Sequence, residues 1–154
     1  MNFYYEELRN IHQAISKLNL EEQEKKEKEA LLLDTLTQII KFSKLTRNKG
    51  LLALEEAATE ITSTSSCEGF FKHLLCLVVE ATDPDEILQI AFSRYYSSLV
   101  TDYDALIYLI YLKGALAIQQ GENPRLIMEK LKAMLPNELF YTCDETLEKH
   151  LSIR

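Results

Sequence analysis

The chain has 154 residues, 47% of them hydrophobic and 27% charged, so a single domain with a real apolar core is expected, without disulfides or metal to hold it together. Its formal net charge of −7 and pI near 5.0 set the surface as a whole against nucleic acid and anionic lipid, leaving room only for a local basic patch. Four glycines and three prolines supply too few breaks for a many-stranded fold, which points to an all-α chain.

In chain order, Phe3, Tyr4, Leu8, Ile11, Ile15 and Leu18 recur at helical spacing and predict an amphipathic first helix. The run EEQEKKEKEA follows, where Glu21, Glu22 and Glu24 precede Lys25, Lys26 and Lys28 at the favourable i to i+4 spacing of a solvated helical face. Leu32, Leu36, Ile39, Ile40, Phe42 and Leu45 then carry a long helix from about residue 20 to at least Lys44. Gly50 marks a kink or cap, beyond which Leu51, Leu54, Ala57, Ala58 and Ile61 resume the spacing.

Thr62 to Gly69, TSTSSCEG, reads as a loop, and Phe70 to about Ala81 as a central helix, apolar around its whole circumference. Asp83-Pro84-Asp85-Glu86 is a helix start, with Asp83 as N-cap, Pro84 at the first helical position and Glu86 reaching back to the cap. Ile87, Leu88, Ala91, Tyr95 and Leu99 mark that helix's buried side. Thr101 or Asp102 caps the next helix, which ends at Gly121. Asn123-Pro124 repeats the cap-and-proline start, and Leu126, Ile127, Leu131 and Met134 form a buried stripe up to Pro136. With one short helix in the tail, the expectation is a compact, bundle-like domain of six or seven helices. It divides into a charged amphipathic region at 1–30, a central segment at 31–136 and a tail at 137–154.

The N-terminus carries acidic residues early and has no small-residue cleavage site after an apolar run, which argues against a secretory signal. Cys67, Cys76 and Cys143 are odd in number and unpaired in pattern, which fits reduced thiols in a cytoplasm. The most apolar stretch, Ala105 to Ile118, is interrupted by Lys113 and falls short of the about 20 residues a membrane span needs.

No Walker A loop, G-x-G-x-x-G, G-x-S-x-G or H-E-x-x-H occurs, so neither an enzyme nor a cofactor is expected. His12, His73 and His150 stand singly, and the pair Cys67 and His73 cannot by itself supply a tetrahedral metal site. An enzymatic reading would have to use Asp83, Asp102, Asp104, His73 or a tyrosine. The helical spacing of Tyr95, Tyr96, Tyr108 and Tyr111 places them at a core edge instead.

Two segments are more specific than propensity demands: RNKGLLALEEAATEI (Arg47 to Ile61) with FFKHLLCLVVEATDPDEI (Phe70 to Ile87), and KGALAIQQGENPRLIMEKLKAMLP (Lys113 to Pro136). In the order GLLALE, TDP, ALAIQ-GENPR they resemble the cytoplasmic parts of MotA, the ion-driven stator subunit of the flagellar motor, over about Leu31 to Pro136. The family's four membrane helices and their ion-coupling prolines have no counterpart here, so the resemblance implies the cytoplasmic helical domain alone and no ion conduction.

In that family a basic residue before the GLLALE glycine and the glutamate of that segment contact charged residues of the rotor protein FliG; these positions match Arg47 and Glu55. The resemblance therefore implies a cytoplasmic interaction module whose partner is FliG or a stator component. On an unbroken helix the two residues would lie about 12 Å apart along the axis and about 80° around it, within reach of one partner helix. The alternatives are that both are ordinary surface charges, that GENPR is only a tight helix–helix corner, and that the chain is a structural protein self-associating through residues 3 to 45.

Overall fold

The helical periodicities resolve into nine helices among residues 2–62 and 65–152, the residues that the computed structural model describes. They are α1 (Asn2–Ser16), α2 (Glu22–Lys49), α3 (Leu51–Thr59), α4 (Ser66–Val79), α5 (Pro84–Ser98), α6 (Asp102–Gln119), α7 (Pro124–Lys132), α8 (Asn137–Thr142) and α9 (Asp144–Ser152). No strand occurs among the described residues, so the chain is all-α, with more helices than the six or seven expected. Ser63 and Thr64 of the expected loop, and Ile153 and Arg154 of the expected tail, lie outside the described residues.

The higher count has two local causes. At Gly50 the backbone turns to φ +85°, a conformation open to glycine at little cost, and α2 stops there while α3 starts one residue later. The Gly50 amide still donates to the Thr46 carbonyl at 2.8 Å and its own carbonyl accepts from Leu54, so both backbone groups of the glycine are bonded at the break. In the tail, Cys143 alone separates α8 from α9, giving two helices where one was expected.

α6 is the centre of the molecule. Thirteen of its residues are buried, from Tyr103 to Ile118, on every side of the helix. Such a helix is stable only when enclosed, and α1, α2, α4, α5 and α7 all pack against it. Each fully buried Leu, Ile or Phe stabilises the fold by about 1.5–3 kcal/mol relative to exposure, so this contact set dominates the core. α4, expected to be central, packs on α6 through Phe70, stacked on Tyr108, and Phe71, stacked on Tyr111.

α4 begins earlier than expected because Ser65 caps it. The Ser65 hydroxyl accepts from the Glu68 amide at 3.2 Å, so Cys67, Glu68 and Gly69 belong to the helix and not to a loop. Three other expectations are corrected. Leu99 adopts a left-handed C-cap conformation and is 84% exposed instead of lying on the buried side of α5. Leu126 is exposed, because the buried stripe of α7 runs through Ile127, Met128 and Leu131, one residue around the helix. None of the three i to i+4 charge pairs forms in α2; Lys25 instead reaches Glu138 of α8 at 3.0 Å, since long exposed side chains gain little from either partner. On α1, Tyr4 and Ile11 are buried and Leu8 and Ile15 pack at the core edge, while Phe3 is half exposed and Leu18 lies past the helix end.

The α4–α5 and α6–α7 connections have the same construction. In the first, the Ala81 amide bonds to Val78 and the Thr82 amide to Leu77, after which the Asp83 carboxylate accepts from the Asp85 amide at 3.1 Å. In the second, Gly121 bonds to Ile118, Glu122 to Ala117, and the Asn123 side chain accepts from the Arg125 amide at 2.8 Å. Both are left-handed helix stops followed by a cap and a proline. The expected return bond from Glu86 to its cap is not made, and the Thr101 hydroxyl makes no cap bond to α6. No helix among the described residues is long and apolar enough to cross a membrane.

Candidate interaction surface

Three helix C-termini meet at one end of the bundle. The Gln119 side chain at the end of α6 donates to the Thr82 carbonyl at 2.6 Å, joining the two corners. Arg47, in the last turn of α2, donates through Nη1 to the Gly121 carbonyl at 2.7 Å. The segment from Arg47 to Ile61 thus touches the one from Lys113 to Pro136 across 74 positions of sequence. A cation is well placed here, because the unpaired carbonyls of helix ends carry partial negative charge.

Arg47 and Glu55 are both exposed, but the unbroken-helix geometry does not apply to them, since α2 ends at Lys49 and Glu55 belongs to α3. Neither forms an ion pair among the described residues. Between them stand Leu51, 46% exposed, and Leu52, 68% exposed, on a helix whose inner side, Leu54 and Ala58, is buried. Leu51, Leu52 and Glu55 lie within about 100° of one another around α3 and form its exposed side. Periodicity grouped Leu51 with the buried face and passed over Leu52, because it takes no account of the backbone turn at Gly50.

Several of the residues an enzymatic reading would need make structural contacts. Asp83 caps α5. His73 receives a hydrogen bond on Nδ1 from Arg94 at 2.9 Å, and burial followed by that nearby guanidinium pushes its pKa down. His12 donates from Nε2 to the Met134 carbonyl at 2.8 Å; the His150 side chain lies outside the described residues. Burial pushes the Cys67 thiol up to about 12 and the Tyr111 hydroxyl likewise, so neither ionises near neutral pH. Tyr95 and Tyr108 are buried, whereas Tyr96 is half exposed and shares the Glu7 carboxylate with Tyr95 at 3.2 and 2.9 Å. Among the described residues, no group of three His, Cys, Asp or Glu side chains is placed to hold a metal ion.

No family model, curated protein or solved structure matches this chain.

Proposed function

We propose that this chain is a non-enzymatic protein-interaction domain similar to the cytoplasmic part of MotA, docking a rotor component such as FliG as a competitor or regulator of the stator. The observation that carries this reading is the surface around Gly50. Leu51, Leu52 and Glu55 are exposed on α3, and Arg47 is exposed in the last turn of α2 on the other side of Gly50, held by the carbonyl of the GENPR corner. Opposite charges flanking an apolar strip give specificity and association rate, and tolerate only a partner with the complementary order of charges.

The test is a titration of the purified chain against the C-terminal domain of FliG at low and moderate salt. Arg47→Glu and Glu55→Lys are each expected to weaken binding by about tenfold, with the loss largest at low salt. Equal affinities for the parent and both variants overturn the assignment.

A structural, self-associating role is the second reading, and it rests on Phe3, Tyr5 and Leu31, which lie in α1 and α2 and are 50%, 61% and 48% exposed. Light scattering decides it: a monomer at high concentration removes it, and a dimer broken by Phe3→Ser supports it.

A further inference from the structure

Between Asp34 and Glu55 the chain carries Lys41, Lys44, Arg47 and Lys49 and no acidic residue, within a protein of net charge −7. A preference of the α2 C-terminus for cations accounts for Arg47 and Lys49 in its last turn, but not for Lys41 and Lys44, which lie further back. Lys41 and Lys49 are exposed and form no ion pair among the described residues. Lys44 is half-buried and donates to the Leu151 carbonyl of α9 at 2.7 Å.

These lysines line one wall of an open groove of about 820 Å³ between α2, the end of α3 and the start of α4. Its apolar lining comes from Phe42, Leu45, Ala57 and Ile61, and the far rim carries Glu60 and Glu68. Along α2 the groove runs from Thr37 to Lys49, a length of about 18 Å, or a little over three helical turns. Arg47 is not part of it, because six residues of helix turn it about 120° away from Lys41.

We infer that this groove docks an acidic amphipathic helix of a partner protein, its apolar side chains against Phe42, Leu45 and Ile61 and its carboxylates against Lys41 and Lys49. The length suits a short helix, and helix-in-groove recognition needs an apolar lining with charged edges. Glu60 and Glu68 disfavour a uniform polyanion, which would have to pass both carboxylates, so nucleic acid is a poor occupant. The inference concerns a second surface and does not depend on the MotA-like reading.

The test uses the full chain and a fluorescent peptide of about 15 residues with leucines at helical spacing, glutamates along the edge that meets Lys41 and Lys49 and glutamines along the edge that meets Glu60 and Glu68. Its counterpart carries lysine in place of each glutamate, and a single-stranded DNA serves as the polyanion. The acidic peptide is expected to bind, to weaken as salt rises, and to lose about tenfold in affinity on the Lys41→Glu/Lys49→Glu double variant. Arg47→Glu is expected to leave that binding nearly unchanged, which separates this groove from the Gly50 surface. Because both lysines are exposed, circular dichroism of the double variant is expected to match the parent. Equal binding of the two peptides, indifference to the double variant, an equally large loss on Arg47→Glu, or tighter binding of DNA overturns the inference.

Discussion

The α4–α5 and α6–α7 corners share one backbone design and differ in three side chains, at Ala81/Gly121, Thr82/Glu122 and Asp83/Asn123, and in which carbonyl a neighbour takes. The first places Ala81 at φ +60° and caps with Asp83; the second places Gly121 at φ +67° and caps with Asn123. At the first, the Thr82 carbonyl is taken by Gln119 of α6; at the second, the Gly121 carbonyl is taken by the exposed Arg47. A geometry used twice in one chain is a way of turning between helices, so the GENPR segment needs no binding role to account for its own shape. What sets the second corner apart is the cation resting on it.

This comparison breaks first at the left-handed position. Gly121→Val adds a β-branched side chain to a backbone that disfavours it, with open space around the new Cβ, so the cost is backbone strain alone. Denaturant unfolding is expected to show a loss of about 2 kcal/mol. If the two caps are equivalent, Asp83→Ala and Asn123→Ala each cost about 1 kcal/mol, and a twofold disparity would show that the corners do not share a role. Exchanging the corner residues sharpens the point further. Ala81→Gly is expected to raise stability by about 0.5–1 kcal/mol and Gly121→Ala to lower it by a similar amount. Smallest is Arg47→Ala, whose hydrogen bond is exposed; its unfolding free energy is expected to move by less than about 0.5 kcal/mol, leaving any loss of binding as a surface effect.

The parts of this fold legible in the sequence are those written locally. Asp83-Pro84 and Asn123-Pro124 announce their helix starts because a cap and a proline act within a few residues, and Gly121 marks a stop for the same reason. The enclosure of α6 follows from an apolar run with no polar side. Periodicity failed where a neighbouring turn or a distant partner decides the outcome. Leu99 and Leu126 fit an apolar spacing, yet the left-handed cap at Leu99 and a rotation of one residue in α7 put both outside. Ser65 and Glu68 are different: S-x-x-E is a local capping signal, bonded in both directions, and the loop reading of Thr62 to Gly69 passes over it because the stretch is small and hydroxyl-rich.

For the candidate surface, the residues alone mark Arg47 and Glu55 only as charges off the buried spacing, and their pairing in a role comes from the MotA resemblance. The contact of Arg47 with Gly121 lies beyond any local pattern, and so does the exposure of Leu52 beside them. The basic stretch from Lys41 to Lys49 was open to view in the sequence, but the groove it borders needs α3 and α4 folded against α2.

The most direct test of the account is a charge-exchange experiment between this chain and the C-terminal domain of FliG. Arg47→Glu is expected to weaken the complex, and a variant of the partner with one surface acid reversed to lysine is expected to restore it, giving a coupling energy of about 1–2 kcal/mol in a double-mutant cycle. A cycle with no coupling at any acidic position of the partner would contradict a role for Arg47 in docking.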